Sequence, residues 1–257
     1  MTKILFLDID GVLNNEIMYH KDSIRTSRPY PLDQFDPECV YLLNDIVNKT
    51  GCMIVLSSSW RIEGKEAVNN IFKQVGLPEI YDITPITLNR IEMTRGEEIK
   101  EWLKFRESVN YVIVDDDNDM LKEQEPYFVQ TDYFYGLTKE KADEIINLFH
   151  QYDINYWKDV KPITKDTYHV VIPIYKDKEF YRKEIVPLII EKGAIPKDKL
   201  EVGCWYYGHC RNTSKAKWLG DKFEYIRNKF GYTYPEKIDH FDSDTEYDVF
   251  VPVEKVK

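Results

Sequence analysis

Cysteine is scarce in this chain, at 4 of 257 residues. Cys39, Cys52, Cys204 and Cys210 follow no dense spacing, which fits a reducing compartment better than a disulfide scaffold. Cys204, His209 and Cys210 have no second ligand pair at the usual distance, so a zinc module is not expected. Long apolar runs are missing as well. Stretches such as Ile4 to Leu7 and Met53 to Leu56 fall far short of the roughly 20 residues that cross a bilayer, so no membrane partner is expected. Met1-Thr2-Lys3 leads directly into a strand pattern, and the expected location is the cytoplasm. There is no Gly-x-x-x-x-Gly-Lys-[Ser/Thr] run, which argues against a phosphate-binding loop of the kinase type. Internal repeats and low-complexity tracts are absent too.

What is present is enough for a substantial core: 43% of the residues are hydrophobic and 14% aromatic. The net charge of −10 is unevenly placed. Residues 1–158 carry 17 Lys and Arg against 28 Asp and Glu, whereas residues 159–257 carry 18 against 17. The most informative stretch is Ile4 to Asn14, an apolar strand pattern that runs into Asp8-Ile9-Asp10-Gly11. A buried parallel strand reads as such a continuous apolar run, and ligands of open α/β sheets bind at its C-terminal end. Alternation along the strand would send Asp8 and Asp10 to one side, close enough to share a divalent cation or a phosphoryl group. A plain Asp-Gly turn accounts for Asp10-Gly11 but not for a second carboxylate at the end of a buried strand.

The pattern then alternates. Asp36-Pro37 opens a helix closed by Gly51, and Cys52 to Leu56 reads as a second strand running into Ser57-Ser58-Ser59-Trp60-Arg61. A helix over 65–75, a short strand near 81–84 and a helix opened by Arg95-Gly96-Glu97-Glu98 follow. Tyr111 to Val114 reads as a strand that ends in Asp115-Asp116-Asp117-Asn118-Asp119, and a strand over 128–130 and a helix over 138–152 complete the series. This alternation predicts an α/β domain with a parallel sheet, ending near residue 158. Residues 159–257 are expected to form a smaller α+β domain, with a strand over 168–174, a helix over 179–192 closed by Gly193, and short strands over 201–207, 216–218 and 223–227.

Asp8-Ile9-Asp10-Gly11-Val12-Leu13, Leu56-Ser57-Ser58-Ser59-Trp60-Arg61, Arg95 and Val114-Asp115-Asp116 resemble, in order and spacing, the four motifs of the haloacid-dehalogenase-like (HAD) phosphatase superfamily. The SSSWR run, the Arg-Gly-x-x-Ile helix start and the later Gly136-Leu137-Thr138 are similar to the HAD domain of Swiss-army-knife RNA-repair proteins. The resemblance covers about residues 3–152 and implies a HAD-like Rossmannoid sheet with a minimal cap. It also implies a Mg²⁺-dependent phosphomonoesterase in which Asp8 is the nucleophile and forms an aspartyl-phosphate, while Asp10 serves as general acid and base. Asp8, Asp10 through its backbone carbonyl, and one or both of Asp115 and Asp116 would hold Mg²⁺, with Asp119 a weaker candidate. Ser57 or Ser58 would bind a phosphoryl oxygen, and Arg95 or Arg90 would supply the fixed positive charge. Arg61 either contacts substrate phosphate or forms a surface ion pair.

A minimal cap leaves an open site that suits a large substrate such as a phosphorylated nucleic-acid end. Free nucleotides, or a module that binds phosphate without turnover, are the alternatives. In the second domain Trp205 to Tyr234 interleaves aromatic residues with Arg211, Lys215, Lys217, Lys222, Arg227 and Lys229. That composition suits single-stranded nucleic acid, or equally an aromatic core with solvated cations. Substrate identity and oligomeric state are left open.

Overall fold

In the computed structural model, which describes residues 2–20, 28–86, 93–167, 170–229, 232–245 and 247–257, the apolar run ahead of Asp8 becomes β1 (Thr2–Leu7), the central strand of a five-stranded parallel sheet. The others are β2 (Met53–Leu56), β3 (Ile80–Ile83), β4 (Val109–Asp115) and β5 (Phe128–Gln130), in the order β3-β2-β1-β4-β5. Their alternating side chains feed two cores. Leu5, Leu7, Ile54, Leu56, Val112 and Val114 face one side, and Ile4, Phe6, Val55 and Ile113 face the other. Burial on both faces is what continuous apolar strands require.

The first face is covered by three helices, α2 (Pro37–Thr50), α3 (Lys65–Val75) and α5 (Lys139–Asp159), through side chains such as Leu43, Phe72 and Phe149. The second is covered by α4 (Arg95–Leu103), with Ile99 and Trp102 against Phe6. Asp36 caps α2 by accepting from Glu38 N, with Pro37 at its first turn and Gly51 left-handed at its end. The segment between β1 and α2 holds α1 (Glu16–His20) and one 3-10 turn, Leu32–Gln34, among the described residues. No helix among the described residues is long and apolar enough to cross a membrane.

The chain divides into two compact units, Met1–Tyr152 and Asp153–Lys257. The division falls inside α5, which runs to Asp159 rather than stopping near residue 152, because the apolar spacing Phe149 to Trp157 continues across the polar residues between them.

The second unit is built around a closed five-stranded barrel of order β10-β6-β7-β8-β9. Its strands are β6 (Trp205–His209), β7 (Lys215–Trp218), β8 (Phe223–Lys229), β9 (Tyr232–His240) and β10 (Val249–Lys255). Tyr206, Trp218, Phe223, Tyr225 and Phe250 fill the interior. The sequence pattern predicts parts of β6, β7 and β8 but neither β9 nor β10. Each contains a proline, Pro235 and Pro252, which argues against a strand from sequence. Pro252 is accommodated at an irregularity in the β10–β6 pairing, where its carbonyl accepts from Ile195 N at 2.7 Å. The strand expected over 168–174 is corrected: residues 170–174 are irregular, and 168 and 169 lie outside the described residues. The expected helix is found over 178–191, with a π turn at Tyr181–Ile185 just ahead of Pro187, whose missing N–H interrupts the regular ladder.

Candidate active site

The sheet ladder continues one residue past the C-terminal ends of four strands, and three of these bonds bear on the site. Ser57 N donates to Leu7 O at 2.9 Å, Asp8 N to Val114 O at 3.0 Å and Thr131 N to Asp115 O at 3.0 Å. The residues that end the apolar runs of β1, β2 and β4 are thereby locked side by side, and Asp8, Ser57 and Asp115 are all buried. Asp10 is not on the strand. β1 ends at Leu7 and Asp10 lies in the following turn, so strand alternation does not bring it beside Asp8. The turn does so instead: Gly11 N donates to Asn14 Oδ1 at 3.0 Å, and Asn14 Nδ2 donates to Asp10 Oδ1 at 2.8 Å. Trp60 Nε1 reaches the same carboxylate, 3.3 and 3.2 Å from its two oxygens.

Gly11 has φ +70°, and a Cβ there would lie 2.3 Å from Asp116 Cγ. Glycine therefore serves two purposes, the left-handed turn and the close approach of a carboxylate to the backbone. With that approach Asp8, Asp115 and Asp116 offer oxygens that all lie within 4.8 Å of one another. Asp115 Oδ2 is buried and has no hydrogen-bond partner among the described residues, its neighbour being Arg95 Nε at 3.6 Å. Burial raises the pKa of Asp8 and of Asp115, and the mutual repulsion of the carboxylates adds to the rise, while Arg95 opposes it. Burial followed by the nearby Asp117 charge raises Asp116. Three crowded carboxylates, one with an orphaned buried oxygen, are a donor set that fits a hard divalent cation.

Arg95 supplies the positive charge. Its guanidinium lies 3.9 Å from Asp8 Oδ1 and 2.9 Å from Glu98 Oε2. It sits at the start of α4, where Thr94 and Glu97 form a capping box and Asp119 Oδ2 accepts from Arg95 N at 2.9 Å. Asp119 is thus a helix-end partner outside the acidic trio. Gly96 allows α4 to approach this closely, since a Cβ there would meet Leu121 N at 2.5 Å. Arg90 lies outside the described residues.

Arg61 is buried, so its ion pair is not a surface one. Its guanidinium donates to the carbonyls of Ser57 at 3.0 Å and Ser58 at 2.6 Å and pairs with Glu98 at 2.5 Å. It braces the loop after β2 from beneath. Glu98 then joins Arg61 to Arg95. Ser58 caps the 3-10 turn Ser59–Glu63, its hydroxyl accepting from Trp60 N at 3.4 Å, and its presence beside Asp8 favours the ionised carboxylate. Ser57 Oγ, fully buried, has no hydrogen-bond partner among the described residues. Trp60, Asn14 and Glu98 are the site residues that motif reading missed, although Trp60 stood inside the SSSWR run and Asn14 four residues after Asp10.

Gly136-Leu137-Thr138 also finds its reason here. Gly136 has φ +66° with Val12 O 3.0 Å from where its Cβ would be, and Leu137 N donates to that same carbonyl at 2.8 Å. The tripeptide clamps the turn that carries Asp10.

Residues 4–142, more than half of the chain, match the family model described as the HAD domain in Swiss Army Knife RNA repair proteins. The chain belongs to this family. In this HAD domain the Asp8 turn, the Ser57–Arg61 loop, the start of α4 and the Asp115–Asp116 loop converge on one end of the sheet. Comparison with the curated proteins and with the solved structures gave no significant match.

Outside this HAD domain, His209 Nε2 is hydrogen-bonded to Thr164 O at 2.7 Å and Cys210 Sγ donates to Thr213 O at 3.4 Å. Neither belongs to a metal-ligand cluster among the described residues.

Proposed function

We propose that this protein is a Mg²⁺-dependent phosphomonoesterase that works through an aspartyl-phosphate. The observation that carries the reading is the separate setting of two carboxylates. Asp8 is buried beside Arg95 and the Asp115–Asp116 pair, while Asp10, half-buried, is held by Trp60 and Asn14. An attacking carboxylate needs cations close by, and a proton donor needs orientation toward the leaving group.

An oxygen of Asp8 attacks phosphorus, forming the Asp8–phosphorus bond as the ester oxygen departs. Asp10 gives that oxygen its proton. A water then attacks the phosphoryl-aspartate, Asp10 takes the proton from it, and the Asp8–phosphorus bond breaks to release phosphate. Arg95 holds the transferring group against Asp8, and Ser57 or Ser58 donates to a phosphoryl oxygen. Asp8, Asp115, Asp116 and the Asp10 backbone carbonyl would hold Mg²⁺, which neutralises charge on the phosphoryl oxygens when bound.

The substrate class we infer is a phosphate at a nucleic-acid end. Two features support it. The family is one of RNA-repair domains, and the outer face of the barrel presents Trp205 and Tyr207 with Lys215 Nζ 5.6 and 5.5 Å from their ring centroids. The test is phosphate release in Mg²⁺ from an alkyl phosphate, nucleoside monophosphates and oligonucleotides with 3′- or 5′-phosphates, by wild type and Asp8→Asn. Release by wild type alone, greatest on the oligonucleotides, is the expected result. Equal release by both proteins refutes the mechanism, and faster turnover of free nucleotides refutes the polymeric substrate.

A further inference from the structure

The loop between β5 and α5, residues 131–138, takes no part in the chemistry above, yet it is tied to the catalytic turn at both ends. Thr131 donates its hydroxyl to Gly11 O at 2.8 Å, and Leu137 N donates to Val12 O at 2.8 Å. Its tip is closed on Asp132, whose carbonyl accepts from Tyr135 N at 3.0 Å and Gly136 N at 2.8 Å and whose carboxylate accepts from Phe134 N at 2.8 Å. The start of α1 is fastened to it as well, with Glu16 N and Ile17 N donating to the carbonyls of Tyr133 and Phe134 at 3.2 and 3.3 Å.

This frame holds three consecutive aromatic side chains in solvent. Tyr133, Phe134 and Tyr135 are 51%, 42% and 57% exposed, and none belongs to a core cluster. Single exposed aromatics need no explanation, but a contiguous set on a fixed loop marks a ligand surface. Only Asp132 separates Tyr133 from Thr131, so their Cα atoms lie within about 7 Å of each other. Thr131 in turn touches the turn between the two catalytic carboxylates and Val12. The only charged residue from 131 to 138 is Asp132, so the surface offers π faces and nothing that attracts phosphate.

We propose that Tyr133, Phe134 and Tyr135 form a stacking platform for the nucleobase adjacent to the phosphate that the site removes. The proposal rests on the phosphatase reading above and adds what that reading lacks, recognition of the base beside the phosphate. Stacking on aromatic side chains is tolerant of base identity, so the platform selects for the presence of a base and not for sequence.

The test compares a short single-stranded RNA bearing a terminal phosphate with the same strand whose terminal nucleotide is abasic, alongside free nucleoside monophosphates. Wild type should favour the base-bearing strand by about ten-fold or more in kcat/KM, with the difference in KM, the size expected for one stacked base. Tyr133→Ala, Phe134→Ala and Tyr135→Ala should each lower that ratio and the triple variant bring it to about one, whereas Tyr133→Phe and Tyr135→Phe keep it. A preference shared by the free nucleotides places recognition in the single base; one confined to the strands assigns it to a base held within a polymer. A ratio near one in wild type, or an undiminished ratio in the triple alanine variant, overturns the platform. Binding of the two labelled strands to Asp8→Asn, read by fluorescence anisotropy, separates this from the phosphatase reading. If wild type releases no phosphate, that reading fails, and a ten-fold binding preference for the base-bearing strand still supports the platform while equal binding overturns it.

Discussion

Replacing Asp115 by asparagine should stabilise the cation-free protein while abolishing turnover. Asp115 is buried, its Oδ2 has no hydrogen-bond partner among the described residues, and it shares its pocket with Asp8 and Asp116. Burial first, and then the Asp8 charge, raise its pKa above the ordinary 3.8. A carboxylate whose folded pKa is raised binds protons more tightly in the native than in the unfolded chain. Stability therefore falls as pH rises from about 4, and above the folded pKa the whole penalty is present. Each unit of rise is worth about 1.4 kcal/mol, so the ionised Asp115 costs the native state on the order of 3 kcal/mol or more. Asparagine keeps the acceptor that Asp117 N uses at 3.1 Å and removes the charge.

The gain should read as a rise in Tm of about 6 °C or more in chelator at pH 8, at 2–4 °C per kcal/mol for a chain of this size. It should shrink to a fraction of that at pH 4, where Asp115 is protonated in the folded chain and about half protonated in the unfolded one. Mg²⁺ should stabilise wild type at pH 8 and stabilise the variant far less, because the cation removes the repulsion that asparagine has already removed. Thermal unfolding followed by circular dichroism, with and without Mg²⁺ at the two pH values, measures all of this. A variant that is less stable than wild type in chelator at pH 8, or equally stabilised by Mg²⁺, refutes the reasoning.

Trp60→Phe keeps the packing against Phe35 but removes the Nε1–H that reaches Asp10, so kcat should fall about ten-fold with KM little changed, as steady-state kinetics will show. Gly11→Ala places a Cβ 2.3 Å from Asp116 Cγ in a left-handed turn; the Mg²⁺ concentration for half-maximal activity should rise by about ten-fold or more in a metal titration. Arg61→Met leaves Glu98 buried with one of its two cations gone, and chemical denaturation should record a loss of about 3 kcal/mol. Because the carboxylates must be ionised to hold a cation and burial raises their pKa values, the Mg²⁺ affinity should weaken steadily as pH falls below about 8, a slope that isothermal titration reads directly.

The first unit was legible because its signals are local and agree with each other. The helix capped by Asp36 and closed by Gly51 begins and ends where those residues demand, and each apolar run of four or five residues became a strand of the parallel sheet. The barrel was not legible, since its closing strands carry Pro235 and Pro252 and its closure depends on the β10–β6 pairing, which joins residues such as Val251 and His209 far apart in sequence. Trp218 against Phe223 and Phe223 against Phe250 are visible only once the strands are in register.

The site divides along the same line. The residues proposed to meet a ligand, Asp8, Asp10, Arg95, Asp115 and Asp116, stand at strand ends, turns or helix starts, where a polar residue after an apolar run has few structural explanations. Residues whose job is to hold those others look ordinary in sequence. Glu98 follows Glu97 at a helix start, a pattern that predicts two solvated charges favoured by the helix dipole. Glu97 fulfils that by bonding Thr94 N at 2.8 Å, while Glu98, one step around the helix, points inward between Arg61 and Arg95. One hundred degrees of rotation separates a cap from the anchor of two arginines, and sequence spacing fixes that rotation only when the packing face of α4 is already known from Ile99 and Trp102.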